Sequence, residues 1–170
     1  MQSQSPSPLA PPPPQPTAAD VEVELQRRLV MLRLLQEQRV RRSASWFYWL
    51  AGFSALNSVL AHAGSTFQFF GLGLTELIDF FALGLRDKLG GGVHVVAAGL
   101  DLAIVGTWIG IGMWARQRST AAFGVGMALF AVDALILLPL GDWLGIAFHA
   151  YALFAIYGGF QASQALKQNR

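Results

Sequence analysis

From residue 43 to residue 163 the chain is almost continuously apolar, interrupted only by short polar or glycine-rich stretches. Runs of about 20 apolar residues match the hydrocarbon thickness of a bilayer when wound as helices. This leaves one broad class open, an all-α integral membrane protein. Charged residues make up only 13% of the chain, against about 25% in a soluble domain. The chain has no cysteine, which excludes disulfides, cysteine nucleophiles and cysteine-ligated metal clusters.

Before the apolar region the character is different. Residues 1–17 hold seven of the eight prolines, with Ser and Gln and no charge. Such a segment buries too little apolar surface to fold, so a disordered tail is expected; a ligand for a proline-binding module is the alternative. Residues 18–42 read as an amphipathic helix. Thr17 with Asp20 resembles a capping box, acids lie near its start and Arg39, Arg41 and Arg42 at its end, in keeping with the helix dipole. Leu25, Leu29, Leu32 and Leu35 form an apolar stripe, suited to a membrane surface, to the protein's own helices or to a second subunit, with the membrane surface favoured. No apolar core of a cleavable signal peptide precedes residue 43.

The transmembrane region 43–163 divides into five membrane-embedded segments, 43–62, 66–85, 93–115, 120–140 and 143–163, followed by a basic tail, 164–170. Trp46, Tyr48 and Trp49 stand beside the Arg cluster as an interfacial aromatic belt, and the six arginines before residue 43 place the N-terminus in the cytoplasm. Gly106 and Gly110, and likewise Ala155 and Gly159, have the four-residue spacing of close helix packing. Asn57, His62 and His94 are secondary polar candidates. Ser58 and His62 lie one turn apart, a spacing that can hold a metal but more commonly marks an interfacial histidine.

The segment 66–85, TFQFFGLGLTELIDFFALGL, is the exception, because it carries Glu76 and Asp79 in its middle. Its Phe, Leu and Ile residues favour insertion by roughly 5 kcal/mol in total, and each central acid costs about 2.5–3.5 kcal/mol. It is near break-even alone, and either spans or is re-entrant. With five crossings 8 of 12 Lys and Arg fall inside; with four crossings 10 of 12 do, which favours four under the positive-inside rule. The length of the segment favours five.

Ionisable groups inside a membrane are functional candidates by default. Asp79, Asp101, Asp133 and His149 each lie six to eight residues from a segment end, roughly 9–12 Å deep, with Glu76 one turn deeper. The candidate intramembrane polar core is therefore Glu76, Asp79, Asp101, Asp133 and His149. Such a set could hold the bundle together by hydrogen bonds, relay protons or ions, or bind a divalent metal. No Glu-x-x-His or His-Glu-x-x-His spacing supports a metal, and no nucleophile elbow, phosphate loop or dinucleotide fingerprint is present, so no catalytic residue and no cofactor are assigned.

The stretches WFYWLAGFSALNS (46–58), GLGLTELID (71–79), GMALFAVDALILL (126–138) and FHAYAL (148–153) resemble a set of small bacterial multi-spanning proteins without an assigned function. The resemblance implies an inner-membrane helical bundle and carries over no catalytic residues. The expected function is that of a non-enzymatic membrane binding or structural module. A proton- or ion-coupled transport component and an intramembrane metal-dependent enzyme are the alternatives. Its partners would be the lipid bilayer and a second copy or membrane subunit, with no nucleic acid.

Overall fold

A computed structural model of the protein describes residues 17–65, 73–74, 77–78, 81, 84 and 92–168. The described residues form four α-helices: α1 (Ala18–His62), α2 (Gly92–Arg116), α3 (Thr120–Leu140) and α4 (Trp143–Gln168). Three regions, Val95–Arg116, Thr120–Leu140 and Trp143–Gln168, are long and apolar enough to cross a membrane. The expectation of five membrane helices exceeds this. The 43–62 part of α1 is not among the three, and most of 66–85, including Glu76 and Asp79, lies outside the described residues.

The chain forms two compact units, Met1–Arg33 and Leu34–Arg170. In the first, Thr17 and Asp20 make a reciprocal cap. The Thr17 hydroxyl and backbone N–H donate to Asp20 Oδ2 at 2.6 and 3.0 Å, and the Asp20 N–H donates to Thr17 Oγ1 at 3.2 Å. These bonds, the hydroxyl's first, hold the exposed Asp20 carboxyl below its ordinary range. Arg28 pairs with Glu24 at 3.0 Å, one turn apart and exposed, a contact of about 0.3–0.5 kcal/mol. Leu25, Leu29 and Leu32 are about half exposed.

α1 runs unbroken through residue 42, where the amphipathic segment gives way to the first apolar one. No glycine or proline occurs between residues 17 and 51, so nothing in the backbone ends the helix. The change from polar to apolar composition there is not a change of secondary structure. The same holds at the other end, where α4 continues through the predicted 164–170 tail to Gln168 and buries Leu166.

In the second unit the buried residues recur at alternating spacings of three and four, the pattern of helices packed nearly parallel. Gly145, His149, Ala152, Ile156, Gly159, Ser163 and Leu166 are such a series in α4, and Gly126, Phe130, Asp133 and Leu137 in α3. Contacts fix the directions. Tyr48 packs at Gly112 and Ser58 bonds Asp101, so α1 and α2 are antiparallel. Thr120 meets Ser163 and Asp133 meets His149, so α3 and α4 are antiparallel too. Phe47 packs against Trp108, Phe123 and Gly126 at the centre. The bundle runs up, down, up, down, and α1 ends where α2 begins.

Local chemistry sets the turns. Ser119 caps α3 by accepting from the Ala122 N–H at 3.3 Å. Gly141 ends it in the left-handed conformation at φ 71°, which a glycine adopts without a Cβ penalty. Asp142 then caps α4, its Oδ1 accepting from the Gly145 N–H at 2.9 Å. The two predicted packing faces behave differently. Ser43 sits against Gly159, too near for any Cβ there, and donates to the Ala155 carbonyl at 2.9 Å. A Cβ at Gly106 or Gly110 would meet nothing within 4 Å, so these two glycines pack against no described part of the chain.

Candidate functional site

The polar interior is built on α3 and α4. His149 lies on the buried face of α4 and is fully buried. Its Nδ1 is 2.7 Å from the Gly145 carbonyl, one turn earlier, and its Nε2 is 2.8 Å from Asp133 Oδ2. Phe130, one turn before Asp133, stacks on the imidazole with ring centroids 4.1 Å apart and planes 19° apart. Phe148 meets the same ring edge-on. The imidazole is thus held by two aromatic rings and at both nitrogens.

Asp133 has further donors. Its Oδ1 accepts from the Leu74 N–H at 2.7 Å and its Oδ2 from the Gly73 N–H at 3.2 Å. Gly73 lies against α3 so closely that a Cβ would come 2.5 Å from the Asp133 carbonyl oxygen. Only a glycine lets the backbone approach this near.

The geometry dictates the proton count. The Gly145 carbonyl can only accept, so His149 Nδ1 carries a hydrogen whatever the state of the pair. One proton then lies between Nε2 and Oδ2. Carried on the imidazole, it makes an ion pair; carried on the carboxyl, it leaves both groups neutral. Either way the pair has no net charge.

Asp101 is held separately. Its Oδ2 accepts from the Ser58 hydroxyl of α1 at 2.6 Å. Its Oδ1 is buried and has no hydrogen-bond partner among the described residues, and neither has the Ser54 hydroxyl one turn before Ser58. Ser54 lines a pocket of ≈ 180 Å³, together with Thr107, Trp108 and Asp133 among others. Asn57 is also buried. The side chains of His62 and His94 lie outside the described residues, as do Glu76 and Asp79.

Comparison with known proteins finds no matching family model, no matching curated protein and no matching solved structure. Function must therefore be argued from the site.

Of the five residues expected to form one polar layer, Asp133 and His149 are joined and Asp101 is turned toward α1. Among the described residues no three His, Asp or Glu side chains are grouped to hold a metal ion. Sequence reasoning missed Ser54, the Ser58–Asp101 bond and the amides of Gly73 and Leu74. The serines were findable, since Ala51, Ser54 and Ser58 continue the buried stripe of Ala44 and Phe47. The amides were not, because a backbone N–H leaves no signature in residue type.

Proposed function

We propose that this protein is a non-enzymatic membrane module. It is a four-crossing helical bundle whose polar interior is a clasp for its own backbone. One observation carries the reading. Asp133 accepts two backbone N–H groups and faces His149, whose other nitrogen is committed to Gly145. A catalytic pair needs a lone pair or proton free for substrate. Here the described groups use both imidazole nitrogens and both carboxylate oxygens.

The 43–62 part of α1 supplies the fourth crossing. Its low apolar content reflects Ser54 and Asn57, which turn inward, while Trp49, Leu56 and Val59 face outward. Among the described residues, every Lys and Arg of the Leu34–Arg170 unit lies at the end of the bundle formed by residues 39–42, 116–118 and 167. The positive-inside rule makes that the cytoplasmic face of the inner (plasma) membrane, with the N-terminus inside. The end of α1 and the start of α2 then lie on the opposite side. The bilayer and a second copy of the chain, or another membrane subunit, are its partners.

A proton- or ion-coupled pathway is the second reading, favoured by two buried groups without a partner among the described residues, Asp101 Oδ1 and the Ser54 hydroxyl, and by the pocket that Ser54 lines. Proton flux decides between them. The purified protein in liposomes under a pH gradient is expected to leak no faster than empty liposomes. A flux above that background, lost in Asp101→Asn or Asp133→Asn, would select the pathway.

A further inference from the structure

The basic end of the bundle holds a groove unrelated to the Asp133 clasp. It lies between α1 and α4, with a volume of ≈ 760 Å³. Arg39 and Arg42 line its polar side, and Trp46, Trp49, Tyr151 and Tyr157 its aromatic side. Among the described residues neither arginine makes an ion pair, and no acidic side chain lines the groove. Arg39 lies along α4 where Gly158 has no side chain, its Nε 3.3 Å from where a Cβ would stand. The two groove serines are spent on backbone, Ser43 on the Ala155 carbonyl and Ser45 on that of Arg42. Trp46 is held edge-on by Tyr151 at 5.5 Å, which ties the α1 wall to the α4 wall.

An arginine pair above an aromatic wall, at the depth where a bilayer changes from headgroup to hydrocarbon, has the chemistry of a phosphate diester with an acyl chain. Guanidinium forks match phosphate oxygens bidentately. Tryptophan and tyrosine favour the glycerol level. We propose that this groove is a binding site for an anionic phospholipid, with Arg39 and Arg42 on the headgroup phosphate and the Trp46, Trp49 and Tyr151 rings along the glycerol and first acyl carbons. Charge complementarity selects this occupant over a second protein chain, since the groove offers two cations and no counter-charge. The site presupposes that the bundle is embedded in a membrane, and is independent of what the clasp does.

The test uses the full chain in nanodiscs containing equal phosphatidylglycerol and phosphatidylcholine, released for native mass spectrometry. Wild type is expected to retain phosphatidylglycerol in preference to phosphatidylcholine. A basic residue near an anionic surface contributes about 1 kcal/mol, so Arg39→Gln or Arg42→Gln should reduce retention about 5-fold and the double variant about 30-fold. Gly158→Leu keeps both charges but displaces Arg39, and should behave like the single variants. Glycerol 3-phosphate alone, which has the headgroup chemistry without the chain, should not compete at equal concentration. Equal retention of the two lipids, wild-type retention in a folded double variant or in folded Gly158→Leu, or displacement by glycerol 3-phosphate would each overturn the proposal.

Discussion

Asp133→Leu is expected to lower the unfolding free energy of the detergent-solubilised protein by about 3 kcal/mol, given about 1–3 kcal/mol for each buried donor left without its partner. Three groups lose their partner together: the Gly73 N–H, the Leu74 N–H and His149 Nε2. Measured interhelical hydrogen bonds in membranes average only about 0.6 kcal/mol, which sets a floor near 2 kcal/mol for three. Asp133→Asn should cost about 1 kcal/mol, the ordinary worth of one hydrogen bond. Its amide oxygen still serves Leu74, and its NH₂ can donate to the His149 Nε2 lone pair. That same NH₂ opposes the Gly73 N–H, so one bond is lost. Equilibrium unfolding in mixed micelles reads both. A loss for Asp133→Leu no larger than for Asp133→Asn would contradict the clasp.

The second large effect belongs to packing. Gly126 faces the Phe47 ring so closely that a Cβ would overlap Cε1, and it would stand 3.0 Å from Ile111 Cγ2. Phe47 is fully buried and cannot move aside, since Trp108 stacks on it at 6.2 Å and Phe123 tilts against it at 6.0 Å. Gly126→Leu must therefore push α3 away from α1, and overpacking of this kind costs about 1–3 kcal/mol or more. Gly110→Leu is the control. It has a glycine in the same kind of helix but open space around it, and it should change stability by less than about 0.5 kcal/mol. Urea or SDS titration of the two variants, side by side, checks the contrast.

These two sites show which information a sequence carries. The limits of α3 were readable because residue types determine them: Ser119 supplies the cap and Gly141 the left-handed stop. The limits of α1 and α4 are not legible in composition. A helix ends where its backbone is interrupted, and neither Arg42 nor Ser163 interrupts it. Counting residues from segment ends brought Asp133 and His149 to one depth, where a hydrogen bond joins them. Depth alone gives no direction around the helix axis, so it did not turn Asp101 toward Ser58. Small-residue spacing likewise identified two possible close contacts. Whether one is used depends on which neighbour arrives, and Gly159 meets Ser43 while Gly110 meets open space.

α1 and α2 are antiparallel, so in the proposed four-crossing bundle the chain between them begins and ends on one side of the membrane. The chain lacks cysteine, which makes single-cysteine accessibility the most direct measurement. With Ala63→Cys, Gly92→Cys, Gln117→Cys and Lys167→Cys in sealed inner-membrane vesicles, an impermeant maleimide should reach Cys at 63 and 92 from the periplasmic side alone. It should reach 117 and 167 from the cytoplasmic side alone. Labelling of 63 and 92 from opposite sides would mean an odd number of crossings between them, and would contradict the four-crossing bundle.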